Sequence, residues 1–586
     1  MNKLLGEIMT QFRFRSKWMF LFLLIQSSFS LAISTKMTDQ VKEVKLDNGM
    51  TLLLVHKPGA PNIAGGWVAH VGSANEKPGI TGISHLFEHM MFKGSKIIGT
   101  KDNHLDKSLR DQLDAIRTKM FLEERSVRAK VRSGFAKSLS DSSVESEHMK
   151  KLKKDFEALI KKQRSNMVKD EFDKIYTEAG ASGMNAFTNE DMTVYFNQVP
   201  KNKLELWFWM ESERLFEPVF REFYSERNVV YEERRMRTES TPTGKQNEVF
   251  NTLFWRGSTY AWPVVGWPSD ISAITRQQAE NYFSTYYAPN NITAAIVGDF
   301  DDDQAIKFAK KYFGRIPRGK ITPPDVVTLR TPQLGELTFQ ASVDAPPSAE
   351  IAYNTTAFAG KDDPALSVLE SVLNGRTGRL YKRLVLKDKI ATNARASNDA
   401  RKYDGMFTLS ANGVSNVSPK KLRAALLDEI EKIKKNGVSE KELTKVKNNL
   451  SAAKFRRLKE PFNLLIQLLY TDGLRSWKVI DTYFDNIMKV KNEDLIRVTK
   501  KYFTKENRAN KLFTRSKKQA PENPELKGFS DQQKMMANQI LAMPATKLKQ
   551  ILPKLQEAMG KAPAKDQSFL KYLIKKVENK ISGEKG

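Results

Sequence analysis

The chain has 586 residues, 40% of them hydrophobic and 28% charged, which is enough sequence for about two or three domains with sizeable cores. It has no cysteine, which excludes disulfides, thiol catalysis and thiolate-bound metals, and its six histidines, His56, His70, His85, His89, His104 and His148, confine any histidine-based site to the early part of the chain. The formal net charge is +28, but the basic residues recur throughout and no recognition motif gathers them into one stripe, so no nucleic-acid partner is expected.

Residues 1–32 read as an export signal: Arg13, Arg15 and Lys17 precede an apolar run over 18–25, and a small-residue stretch over 27–32 ends in the cleavage tripeptide Ser30-Leu31-Ala32. The alternative is an uncleaved membrane anchor, for which the run is short. No later apolar run is long enough to span a bilayer, so a periplasmic or secreted protein is expected, with membrane contact only through an uncleaved N-terminal segment.

The first domain is expected over 41–316. Strands are predicted at 51–55 and 63–71, separated by the turn Pro58-Gly59-Ala60-Pro61, followed by a helix over 81–92. Residues from about 100 to 174 are mostly charged or helix-forming, with apolar positions at Leu109, Leu113, Ile116, Phe121, Leu152, Phe156 and Ile160. They read as a helical insertion, an antiparallel hairpin serving as surface elaboration, lid or docking arm. Strand and helix then alternate to Ile316, and 317–330, rich in Pro and Gly, is a linker. The pattern resumes over 331–515, with strands near 335–343, 349–356 and 405–412 and helices over 363–373, 420–435 and 440–458. A mixed domain therefore occurs twice, giving an α+β fold. Residues 516–586 form a Lys-rich helical or disordered tail.

The chemistry is concentrated in Ile83-Ser84-His85-Leu86-Phe87-Glu88-His89-Met90-Met91. On a helix, His85, Glu88 and His89 fall at roughly 0°, 300° and 40°, while the apolar residues fall between roughly 100° and 240°. One face can pack on a sheet while the other presents two imidazoles and a carboxylate. Histidines at i and i+4 can reach one zinc ion, which then needs one further protein ligand and leaves a position open. The H-x-x-E-H order is the inverzincin signature. With no histidine after His148, the third ligand should be acidic. A helix around 223–235, with Ser225 as its expected N-cap, offers Glu226 and Glu233 on one face and turns Glu232 away.

That string, with Lys93-Gly94-Ser95 after it, Gly183-Met184-Asn185-Ala186-Phe187-Thr188, Thr193-Val194-Tyr195 and Glu226-Arg227-Asn228-Val229-Val230-Tyr231-Glu232-Glu233, resembles the pitrilysin/insulinase family, which includes the mitochondrial processing peptidase. The resemblance runs from about residue 44 to 515 and fits the two-domain, half-length members. It implies two similar α/β domains forming half of a clam-like chamber, the second domain inactive. It also implies one Zn2+ per chain held by His85, His89 and Glu233, with Glu226 supporting and Glu88 as catalytic base. Peptide substrates would add as a strand along Asn185, Ala186, Phe187 and Thr188. The implied function is a zinc metalloendopeptidase acting on unfolded or short peptides, the alternative being a non-catalytic scaffold or assembly subunit.

Two departures stand out. The 144 positions between His89 and Glu233 are about twice the gap in compact members, an excess that the helical insertion supplies. In the second domain, the Arg and Tyr that many members place after a string like Gly378-Arg379-Leu380-Tyr381-Lys382-Arg383-Leu384 align with Val385 and Thr392. A heterodimer with a family subunit that supplies the pair is therefore expected, or else a homodimer that works without it.

Overall fold

The structure, a computed structural model, describes residues 36–139, 141–516, 524–526, 528–541 and 543–583. The expected export segment, 1–32, lies outside the described residues. The chain divides into one compact unit up to Arg515 and a second from Ser516 onward.

In the first unit the chain runs through β1 (Val41–Lys45), β2 (Thr51–His56), β3 (Asn62–Ala69), α1 (Ile83–Met90), α2 (Asn103–Arg132), α3 (Glu147–Asn166), α4 (Glu171–Glu178), β4 (Ser182–Thr188) and β5 (Thr193–Pro200). It continues through α5 (Leu204–Phe216), α6 (Phe223–Arg234), α7 (Gly244–Phe254), α8 (Pro268–Ala273), α9 (Arg276–Tyr286), β6 (Ile292–Gly298) and α10 (Asp302–Tyr312). The second half holds β7 (Leu337–Val343), β8 (Ser348–Thr355), α11 (Asp363–Leu373), β9 (Ala391–Ala400), β10 (Gly405–Gly413) and α12 (Pro419–Asn436). It ends with α13 (Glu440–Lys459), α14 (Pro461–Leu474), α15 (Val479–Lys489), α16 (Asn492–Tyr502) and β11 (Arg508–Arg515).

The two sheets have the same plan. The first is ordered β1-β2-β6-β3-β5-β4 and the second β7-β11-β8-β10-β9, so with β1 set aside each strand has a counterpart in the same place. Orientations match as well: β2 is parallel to β6 as β7 is to β11, and the other neighbours are antiparallel. The fold is thus a duplicated α+β domain. β4 and β9 are the corresponding edge strands, and α1 corresponds to α11.

Each sheet is buried on both faces, one of them by the other half. In β2, Leu52 and Leu54 join the core under α1, whereas Leu53 and Val55 meet Leu464, Leu465, Leu468 and Leu469 of α14. In return, Phe250 and Phe254 of α7 cover Ala352 of β8 and Ala509 of β11. The β4–β5 and β9–β10 hairpin tips also interlock: the Lys402 backbone N–H donates to Asp191 Oδ2 at 3.0 Å, and Arg401 Nη1 lies 2.9 Å from Glu190 Oε1. This exchange is why the two domains make one unit.

Sequence reasoning did not place β9 or β11. β9 reads Ala-Thr-Asn-Ala-Arg-Ala-Ser-Asn-Asp-Ala, poor in β-branched and aromatic residues, and its pairing with β10 overrides that composition. The chain from Asn103 to Asn166 forms a helical hairpin of α2 and α3, and its base is not a passive surface elaboration. Leu109, Leu113 and Leu159 join the main core, and Asp106 forms a 3.2 Å ion pair with Arg221, both side chains fully buried. Only Met120, Met149 and Leu152 form a separate small cluster further out.

In the second unit, α17 (Asp531–Leu541), α18 (Ala545–Lys561) and α19 (Ala564–Ser582) share their own core of Leu548, Phe569, Leu573 and Val577. Its described part is therefore a helical unit and not only a tail. No described helix is long and apolar enough to cross a membrane.

Candidate metal centre

The motif helix α1 is fixed at its start. Gly82 and Gly266 both have left-handed φ, 90° and 84°, and a Cβ on either would collide with the backbone of the other's strand of chain, so only glycines allow this crossing. Glu76, 5% exposed, accepts the Gly82 and Ser84 N–H groups at 2.8 Å each, closing two of the helix's free donors. Leu86, Phe87 and Met90 point into the core, and His85, Glu88 and His89 point the other way.

The second helix of the candidate site, α6, begins one step after Glu222, whose φ of 57° turns the chain into it. Ser225 is therefore inside the helix and not its N-cap, because Phe223 and Tyr224 already belong to the core. Arg234 fixes the far end, forking onto Glu248 at 2.6 and 2.8 Å and onto Gly266 O at 2.9 Å. The same crossing thus registers α6 against α1.

Between the two helices three acceptor atoms converge. His85 Nε2 lies 3.6 Å and His89 Nε2 3.4 Å from Glu233 Oε2, and the three atoms lie within 4.8 Å of one another. Ligands about 2.0–2.1 Å from a tetrahedral zinc are about 3.3–3.4 Å apart, so the set fits that ion. The electrostatics fit too. Burial, with the charges of His89 and Arg237, pushes His85 down to about 3, so its imidazole stays neutral, the form that binds metal. A cation between them is what two imidazole lone pairs and a carboxylate oxygen need.

Glu226 stands behind His89, accepting from Nδ1 at 2.9 Å and leaving Nε2 for the metal. Although burial opposes its charge, hydrogen bonds from His89 and Lys93 hold Glu226 down at about 2, and Lys93 Nζ is 2.6 Å away. Burial likewise opposes a charge on His89, yet Glu226, Glu88 and Glu233 together raise its pKa. Glu88 is not part of the ligand triplet. Burial raises its pKa, and a 2.6 Å hydrogen bond from Thr188 Oγ1 partly offsets that.

Asn185, Ala186, Phe187 and Thr188 lie on β4, which among the described residues pairs only with β5 and so has an open edge. Asn185 is exposed and its Oδ1 accepts the Ala186 N–H at 2.8 Å. A cavity of about 580 Å3 beside the site is lined by Phe92, Lys93, Phe172, Met184, Glu226 and Val229, among others. In the second domain, α11 carries no histidine, Val385 packs against that domain's core, and Thr392 is exposed on β9.

Three contacts were missed in the sequence: Glu76 capping α1, Lys93 on Glu226, and Arg237, whose Nη2 is 2.7 Å from Glu233 Oε1. The last two stand four residues after His89 and Glu233, a same-face spacing that a helical-wheel reading could have used. Glu76 acts through a loop, which no periodicity encodes.

Two family models match the chain: Insulinase (Peptidase family M16) over residues 51–110, and Peptidase M16 inactive domain over 273–450. His85, Glu88 and His89 fall in the first, whereas Glu226 and Glu233 fall between the two, beyond the helical hairpin. The zinc protease PqqE of Helicobacter pylori is 29% identical over 350 residues, 58% of this chain and 78% of that protein. The uncharacterized zinc protease YmxG of Bacillus subtilis is 22% identical over 423 residues, 70% of this chain and 83% of that one. A crystal structure of a protease from Helicobacter pylori shares the fold with a TM-score of 0.66 at 23% identity, covering 81% of this chain and 99% of the other.

Proposed function

The chain belongs to the insulinase-type M16 peptidase family, and on that footing we propose that it is a zinc-dependent endopeptidase of unfolded or short peptides, exported to the periplasm or beyond. The observation that carries the reading is the convergence of His85 Nε2, His89 Nε2 and Glu233 Oε2 beside a carboxylate, Glu88, that is not itself a ligand.

His85, His89 and Glu233 would hold one Zn2+. When bound, the ion would supply Lewis acidity and make water nucleophilic near neutral pH. Glu88 takes the proton of the attacking water and returns it to the leaving amine nitrogen, a general base and then a general acid. Glu226 keeps His89 oriented. The open edge of β4 lays a substrate strand past Glu88 by main-chain pairing, which tolerates many sequences. α11 lacks the ligand set, which supports a single centre per chain. A second subunit, either a family member with the Arg/Tyr pair or another copy of this chain, would close the chamber.

Metal analysis of the purified chain with a quenched-fluorescent peptide assay tests this. About one zinc per chain and cleavage that a chelator stops and added zinc restores are expected; metal-free protein, or cleavage indifferent to chelation, overturns it.

A further inference from the structure

We propose that Arg237 is a catalytic residue, binding the oxygen on which negative charge develops when the peptide carbonyl is attacked; the inference rests on the endopeptidase reading above. Glu233 has two carboxylate oxygens with different duties. Oε2 faces His85 and His89, whereas Oε1 forms an ion pair with Arg237, 2.7 Å from its Nη2. The Arg237 side chain is 71% exposed, so it meets the ligand set from the open side. A guanidinium has five N–H donors in a planar fork, and this contact engages a single terminal nitrogen. The rest of the fork is available to an incoming oxygen.

The local backbone explains the placement. α6 ends at Arg234, and Arg235–Glu239 continues as a π-type turn, which keeps Arg237 beside Glu233 at i+4. Lys93, the other cation near the ligands, is committed elsewhere. Its Nζ lies 2.6 Å from Glu226 and 3.6 Å from Glu222, on the Nδ1 side of His89 and away from the ligand nitrogen.

Charge makes the role specific. Glu88 and Glu233 already bring two carboxylates to the site, and attack on the carbonyl adds another negative oxygen. A preorganised donor aimed at a developing oxyanion contributes roughly 10²–10³-fold in rate. Val385 and Thr392 offer no cation, so Arg237 supplies one from the same chain that holds the ligands.

The test uses the full, zinc-loaded chain and compares wild type with Arg237→Ala and Arg237→Lys. Zinc content, peptide cleavage and affinity for a phosphinic peptide, whose tetrahedral P–O⁻ imitates the developing oxygen, are measured. Affinity for the uncleaved peptide is measured in a Glu88→Gln background. Arg237→Ala should keep its zinc, lose roughly 10²–10³-fold in kcat/KM and a comparable factor in phosphinic-peptide affinity, and bind the uncleaved peptide nearly as before; Arg237→Lys should recover part of both losses. Equal, small effects on the two ligands would overturn the proposal. So would a rate loss that added zinc fully restores, since Arg237 would then only brace Glu233. An inactive, zinc-free wild type would sink the endopeptidase reading itself, an outcome distinct from either.

Discussion

Thr188, on the open edge strand, donates its hydroxyl to Glu88 Oε2 at 2.6 Å, so the strand that would carry substrate also holds the proposed base. The hydrogen bond stabilises the carboxylate against the burial that raises its pKa. In Thr188→Val the bond is lost while the β-branched shape remains, so the pKa of Glu88 rises further. The acid limb of the kcat/KM profile should then move to higher pH with zinc content unchanged, and Thr188→Ser should restore it. A profile that drops uniformly without shifting would separate Thr188 from the base.

Glu88→Gln preserves size and leaves His85, His89 and Glu233 in place, so it should bind zinc normally and lose at least about 10²-fold in turnover. His85→Ala and Glu233→Ala should instead lose the metal, because each removes one of the three donors that converge there among the described residues. Metal content and activity measured on the same preparations check both halves. A zinc-loaded Glu88→Gln protein with near-normal turnover would remove Glu88 from its role.

Helical periodicity makes part of the candidate site legible: His85 with His89, and Glu226 with Glu233, each share one face of a single helix, whereas singling out Glu233 over Glu226 rests on the family resemblance. The duplicated domain was legible in the alternation of strands and helices. What joins the halves was not. Leu464, Leu465, Leu468 and Leu469 look like any apolar helix face, and nothing local says that they cover a sheet more than 160 positions earlier in sequence. The same holds for Leu109 and Leu113, whose amphipathic helix reads as a freestanding arm until Asp106 is found against Arg221.

That ion pair changes what trimming the insertion should do. Removing all of 100–174 would leave Arg221 fully buried without its carboxylate, a loss of about 3–5 kcal/mol, and would strip Leu109, Leu113 and Leu159 from the core. Such a deletion should not fold. Replacing only 122–150 with a short Gly/Ser turn keeps those contacts and should give a folded, zinc-binding protein. Circular dichroism and metal content on the two deletions decide; a folded full deletion would show that the base is dispensable.

Glu76 yields a stability prediction through its place at the head of the motif helix. Burial pushes its carboxyl up to about 8, against hydrogen bonds from Ser84 and Gly82 that favour the anion, whereas in the unfolded chain it titrates near 4.5. Between those values the folded protein holds a proton that the unfolded chain has released, so fewer protons are bound on unfolding and stability falls as pH rises. The slope is at most about 1.4 kcal/mol per pH unit, begins near 4.5 and flattens above 8. Glu76→Gln cannot ionise, so its stability should lack this component across the same window, although its amide oxygen can accept from only one of the two backbone donors cleanly and its absolute stability should be lower at acid pH. Denaturation midpoints of the metal-free proteins from pH 4.5 to 8 measure the difference. Parallel curves would mean that Glu76 is ionised throughout, held as an anion by the Gly82 and Ser84 N–H groups and the start of the helix.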